Sequence, residues 1–186
     1  ELDAIVAGEV ELVLSPTLTE PLPAFRSAPL FSERFVCVVR CDHPRLKKGR
    51  MALDAFCEAG HVLIAPRGKD RRGAVDEALE AVGRKRRVVV AVPHFSVAPQ
   101  VAAESDLVLT LAERAAKALA PQLGLAVFEP PLPLVGYTIA MHWHVRHDAD
   151  PGHVFLREAL LKAAKPLQKQ RADHAAGAAA TSRSSG

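Results

Sequence analysis

Between His61 and Ala112 the chain alternates apolar runs with turns and amphipathic stretches, and this alternation limits the fold more than any other feature. The apolar run 62–65 meets Pro66-Arg67-Gly68, and a helix is expected over 74–82. The run 88–92 meets Pro93-His94-Phe95, with a second short helix after it, and the run 107–111 closes the passage. Strand, turn and helix in repeated order predict a parallel sheet with helices on its faces. Ligands of such sheets bind beyond the carboxyl ends of the strands, where Arg67-Gly68 and His94-Phe95-Ser96 fall.

The flanking segments extend this pattern. A helix ending at Gly8 leads to a strand over 9–14, which Ser15-Pro16-Thr17 leaves. Pro21, Pro23 and Pro29 mark an irregular connection, because proline removes a backbone donor. A strand is expected over 34–40 and a short helix over 52–59. In the helix 74–82, Val75, Leu79 and Val82 share one face, and Gly83 ends it. Ser96 is placed to cap the next helix, with Pro99 in its first turn. Thr110 and Glu113 fit a capping box, so a helix should run from Leu111 to about Ala120 and stop before Pro121. A Pro-rich connection (129–134) and a strand over 137–145 follow. Asp150 as cap, with Pro151 in the first helical position, starts a helix carrying Val154, Phe155, Ala159 and Ala163. From Pro166 the chain turns to Ala, Ser, Gly, Gln and basic residues, and a disordered tail (166–186) is expected.

The V-L-x-x-P-R-G turn at 62–68, the V-D-x-A-L helix at 75–79 and the V-P-H-F turn at 92–95 resemble the effector-binding domain of LysR-type bacterial transcription regulators. The resemblance reaches back through Pro29-Leu30-Phe31, the run 35–40 and Asp42-His43-Pro44. It reaches forward to Trp143 and the helix after Asp150-Pro151, covering roughly residues 2–164. It implies an α/β fold of two Rossmann-like lobes joined by two hinge strands, as in the type 2 periplasmic binding proteins. Residues 1–40 with 142–165 would form the first lobe and 41–141 the second. The family's domain normally opens with an earlier strand and helix, preceded by a winged helix-turn-helix. Neither is in this sequence, so an N-terminally truncated first lobe is expected.

The resemblance implies a small-molecule effector, an organic acid or aromatic compound, held between the lobes. Pro66, Arg67 and Gly68 are candidates for holding a carboxylate, through backbone N–H groups and a bidentate guanidinium. In Pro93, His94, Phe95 and Ser96, the ring would pack on an apolar effector body and the hydroxyl would hydrogen-bond; the plain alternative is a buried Phe and a capping Ser. The hydroxyls of Ser15-Pro16-Thr17 would meet effector oxygens, against the alternative of a simple turn. For Arg67 the alternative is a solvated side chain.

Composition sets further bounds. The 186 residues are 49% hydrophobic and 24% charged, ordinary for a globular chain able to bury a core. No apolar run approaches the roughly 20 residues that span a bilayer. Three cysteines (Cys37, Cys41, Cys57) do not make a disulfide framework and fit a reducing cytosol. A net charge of +3 names no anionic partner, and the basic runs 47–50 and 84–87 are expected as solvated turns. His142, His144 and His147 raise the possibility of a metal, and His142 and His144 share a strand face, yet the sequence supplies no convincing further ligand, so no metal is expected. Neither catalytic motifs nor cofactor motifs occur: G-x-S-x-G, H-E-x-x-H and G-x-G-x-x-G are all missing. The expectation is therefore a non-enzymatic, cytoplasmic sensor, dimeric or tetrameric, reaching DNA only through a helix-turn-helix outside this sequence. The alternatives are an extracytoplasmic solute-binding protein of the same fold and a truncated regulator remnant.

Overall fold

The computed structural model describes residues 2–17, 23–65 and 72–183, with side chains over 4–17, 23–65 and 72–168. The chain runs through α1 (Leu2–Ala7), β1 (Leu12–Pro16), β2 (Phe25–Glu33), β3 (Phe35–Arg40), α2 (Leu53–Glu58), β4 (Gly60–Ile64) and α3 (Ala74–Ala81). Then come β5 (Arg87–Val92), α4 (Ala98–Ala103), β6 (Leu107–Ala112), α5 (Glu113–Leu123), β7 (Leu125–Phe128), β8 (Tyr137–His144) and α6 (Pro151–Arg183). These form two units, one of Glu1–Glu33 with Tyr137–Gly186 and one of Arg34–Gly136.

In the first unit β8 lies between β1 and β2, antiparallel to both. Its β-branched and aromatic residues suit a strand covered on both faces. Met141 and Trp143 pack with Leu30 and with Leu160, Leu161 and Ala164 of α6. Trp143 donates its Nε1–H to Asp148 Oδ1 (2.8 Å), and the Arg157 guanidinium lies 4.7 Å from its ring centre. His142 is fully buried, with Nδ1 2.7 Å from Ser27 Oγ. Asp150 caps α6 as expected, accepting from the His153 N–H at 2.7 Å.

The Pro-rich reading of residues 21–29 requires correction, because Phe25–Glu33 is a strand. β2 is an edge strand, and its register shifts between Pro29 and Phe31. That is where a residue without an N–H is tolerated. α6 also departs from expectation. Its core contacts come from Leu160, Leu161 and Ala164, while Phe155 is exposed. Helix continues to Arg183, across the segment read as a disordered tail. Alanine is the strongest helix former, and that local preference operates without core-forming residues.

The second unit is a five-stranded sheet in the order β5-β4-β6-β3-β7. β4 is parallel to β5 and β6, while β3 is antiparallel to β6 and β7. Both faces are covered, which explains the unbroken apolar run of β3. Val36 and Val38 join Val62, Leu109 and the alanines of α4 and α5 on one face. Cys37 and Val39 join Phe56, Val75, Leu79 and Val108 on the other. Cys37 behaves as a small hydrophobe; burial pushes its thiol up to about 12. Gly60 opens β4 in a tight place, where a Cβ would lie 2.6 Å from Leu107 Cδ2 and 2.8 Å from Val89 Cγ2. α3 ends in a Schellman motif: Gly83 (φ 67°) donates to the Glu80 carbonyl and Arg84 to that of Leu79.

The boundary between units falls earlier than expected at both crossings. β3 pairs on both sides within the five-stranded sheet and β8 on both sides within the three-stranded one. Capping expectations also change. Thr110 sits inside β6, with Oγ1 3.2 Å from Cys37 Sγ, and the residue capping α5 is Ala112. α5 continues through Pro121 to Leu123 and stops at Gly124 (φ 62°), which leads into β7, a strand the sequence reading lacked. The run 84–87 is not wholly solvated. The Arg86 side chain is 2% exposed and pairs with Asp76 through two hydrogen bonds (2.9 and 2.7 Å). Asp76 in turn accepts from the Gly73 N–H at the start of α3 (2.8 Å).

Candidate functional site

In the second unit the parallel strands β4, β5 and β6 finish on one edge of the sheet, at Ile64, Val92 and Ala112. β3 begins on that edge, since Phe35 pairs with Ala112. β7 finishes there, since Phe128 pairs with Cys37. The edge therefore collects the segments after β4 and β5, Glu113 after β6, Arg34 before β3 and Glu129 after β7.

Pro66, Arg67 and Gly68 lie outside the described residues. The chain enters that segment from buried Ala65, whose N–H donates to the Val92 carbonyl (2.8 Å). Pro93, His94, Phe95 and Ser96 form a wholly exposed turn, closed by the Val97 N–H on the His94 carbonyl (3.2 Å). Both halves of the plain structural alternative fail here. Phe95 is 60% exposed rather than buried, and α4 is capped by Val97 with no side-chain bond from Ser96. In the first unit Ser15 is half-buried, with Oγ 3.3 Å from the Pro16 carbonyl. Thr17 donates both its N–H (2.9 Å) and its hydroxyl (3.2 Å) to the Thr138 carbonyl.

The edge also holds a charged group that the sequence reading missed. Arg34 donates Nε–H and an Nη2 hydrogen to the two oxygens of Glu113 (2.7 and 2.6 Å) and an Nη1 hydrogen to Glu129 (2.6 Å). Lys117 approaches Glu113 at 2.8 Å from the next turn of α5. The Arg34 hydrogen bonds hold the Glu113 carboxyl down at about 2, and the two carboxylates raise the guanidinium further above its usual range. Beside Arg34 lies a groove of about 390 Å³ walled by Phe35 and the segment 129–134. The available signal was one charged residue abutting each of three apolar runs, before β3 and after β6 and β7.

Among the described residues no three His, Cys, Asp or Glu side chains come together to hold a metal. His142 and His144 have other partners. His142 meets Ser27, and His144 Nδ1 accepts from the Arg146 N–H (3.1 Å). No described helix is long and apolar enough to cross a membrane.

A two-sheet α/β chain with its open chemistry at the carboxyl ends of parallel strands defines a ligand-binding class, and comparison places it further. The family model described as LysR substrate binding domain matches residues 2–165, and the chain belongs to that family. Its fold is that of LysR regulatory domains, related to the type 2 periplasmic binding proteins. The HTH-type transcriptional activator NagR of a Ralstonia species is 34% identical over 156 residues, covering 84% of this chain and 51% of that protein. The chain spans about half the length of the curated relatives it matches. The probable transcriptional regulator PA0477 of Pseudomonas aeruginosa superposes with a TM-score of 0.76 at 28% identity, over 86% of this chain and 52% of that one. The regulatory domain of MexT, a transcriptional activator of the same species, gives 0.73 at 29% identity, over 86% and 76%.

Proposed function

We propose that this chain is the effector-sensing domain of a LysR-type transcription regulator, binding a small organic acid or aromatic molecule and thereby controlling DNA binding. The observation that carries this reading is the turn Pro93-His94-Phe95-Ser96. It stands at the carboxyl end of a parallel strand with a large aromatic ring facing water, in a chain of this family. At such a strand end an exposed aromatic ring offers an apolar effector body a face to pack on. Pro66, Arg67 and Gly68 would add carboxylate contacts from the same unit, and Ser15, Pro16 and Thr17 hydroxyl and backbone contacts from the other.

DNA contacts would belong to a helix-turn-helix segment outside this chain, the kind of segment for which NagR is called an HTH-type activator. Binding rather than catalysis is the role, the assembly a dimer or tetramer, and the compartment the cytoplasm. Effector would act by stabilising one of two arrangements of that assembly. The relatives are transcription regulators, which favours this reading over a solute-binding protein.

Calorimetry with a panel of small aromatic and aliphatic acids tests the proposal on the wild type and on Phe95→Ala. Binding that the substitution weakens about tenfold is expected for removal of a stacked aromatic ring. Absence of heat and of thermal shift across the panel would sink it.

A further inference from the structure

We infer that the outward face of α6 docks a second copy of this chain, with the two helices antiparallel. α6 carries two apolar faces. Leu160, Leu161 and Ala164 pack on the core of the three-stranded unit. Phe155 (74% exposed), Leu156, Ala159 and Ala163 are outside that core, and all four are exposed. Their helical spacing gathers them on one outward stripe. Four adjacent apolar residues make a contiguous patch, unlike the single ones scattered over an ordinary surface. The stripe also fits itself in size. Phe155 supplies a large ring, and Ala159 and Ala163 supply small side chains over which a second helix can pack closely.

Charge selects the occupant and its direction. Glu158 and Lys162 flank the stripe on one side, one turn apart. Both are exposed, and neither is in an ion pair among the described residues. A parallel pair would set each residue against its own copy, Glu158 on Glu158 and Lys162 on Lys162. Reversing one helix about a two-fold axis level with Leu160 sets Glu158 of each copy against Lys162 of the other. In the same placement Phe155 reaches the other copy's Ala163. Lys165, on the charged flank, falls level with the other copy's Phe155 ring, whose face attracts cations. A two-fold contact needs a surface complementary to itself, and this one is so in both size and charge. The pairing gives the assembly proposed above a surface, and it needs no effector.

Sedimentation equilibrium of the full chain, without effector, tests the pairing. Wild type should dimerise reversibly at about 10–100 µM, the strength of a small interface. Phe155→Ser should weaken the dimer about tenfold or more, and its thermal midpoint should stay at the wild-type value because the ring lies outside the core. Glu158→Lys and Lys162→Glu should each weaken it about tenfold, since two like-charge contacts replace two opposite ones. Mixed in equal amounts, those two variants should pair with each other more tightly than either does with itself. The mixed dimer restores both opposite-charge contacts between chains, whereas the contact one turn apart within each helix stays like-charged. A wild type that remains monomeric to about 100 µM would overturn the inference. So would an undiminished dimer in Phe155→Ser, or mixed variants that associate no more tightly than each alone.

Discussion

Mild acid should destabilise the second unit through one imidazole, that of His61. Its side chain is fully buried, edge-on to Phe56 with ring centres 4.6 Å apart. Nε2–H donates to the Phe56 carbonyl at 2.8 Å, so Nδ1 is the unprotonated nitrogen, and it is buried without a partner. Burial pushes the imidazole down to about 4 from the usual 6.5; the bond to Phe56 opposes this, nearby Arg86 reinforces it, and Asp76 opposes it. The sign follows from linkage. The folded value is depressed, so the full contribution is present above 6.5 and is lost as pH falls through the window down to about 4. The gap corresponds to about 3 kcal/mol in all, of which about 2 kcal/mol is gone by roughly pH 5.

Urea unfolding followed by far-ultraviolet circular dichroism, at neutral pH and near pH 5, measures the loss. His61→Gln supplies the control, because its amide N–H can still reach the Phe56 carbonyl and cannot titrate. Wild type should lose about 2 kcal/mol more than His61→Gln over that interval. Equal losses in the two proteins would refute the reasoning, whatever their absolute stabilities.

Two further substitutions probe packing and charge in the same unit. Gly60→Ala places a methyl group against Leu107 and Val89, and overpacking should lower stability by about 1–3 kcal/mol in the same denaturation assay. An unchanged midpoint would mean those side chains yield freely. Arg86→Met leaves the largely buried Asp76 carboxylate without its cation and should cost about 3 kcal/mol. Adding Asp76→Asn should recover part of that loss, since the amide oxygen still accepts from Gly73; no recovery would place the cost in packing instead.

The core of the five-stranded sheet was legible in the sequence because strands covered on both faces are apolar along most of their length. The runs of β3, β4 and β6 announce themselves that way. β2 was hidden because Pro29 argues against a strand, and only its position at the sheet edge makes the residue tolerable. β7 was hidden by its four residues and by Pro121, which α5 accommodates instead of ending at it. The turn at 93–96 could be located from the apolar run before it, whereas the exposure of Phe95 depends on how α4 begins. Arg34, Glu113 and Glu129 were beyond sequence reasoning for a different reason. Arg34 meets partners 79 and 95 positions away, brought to one edge only by the pairing of β3 with β6 and β7.

The chain has a single tryptophan and a single tyrosine, and both lie on β8. Intrinsic emission therefore belongs to the three-stranded unit, where Trp143 sits beneath the Arg157 guanidinium. The five-stranded unit, with Phe95 and Arg34, is optically silent at the same wavelengths. A ligand confined to that unit can saturate without dimming the protein's fluorescence. Any ligand that does not itself absorb at these wavelengths and yet changes the emission has been sensed by the first unit as well. The placement of two chromophores on one strand makes the unmodified chain its own indicator of whether a binding event has travelled.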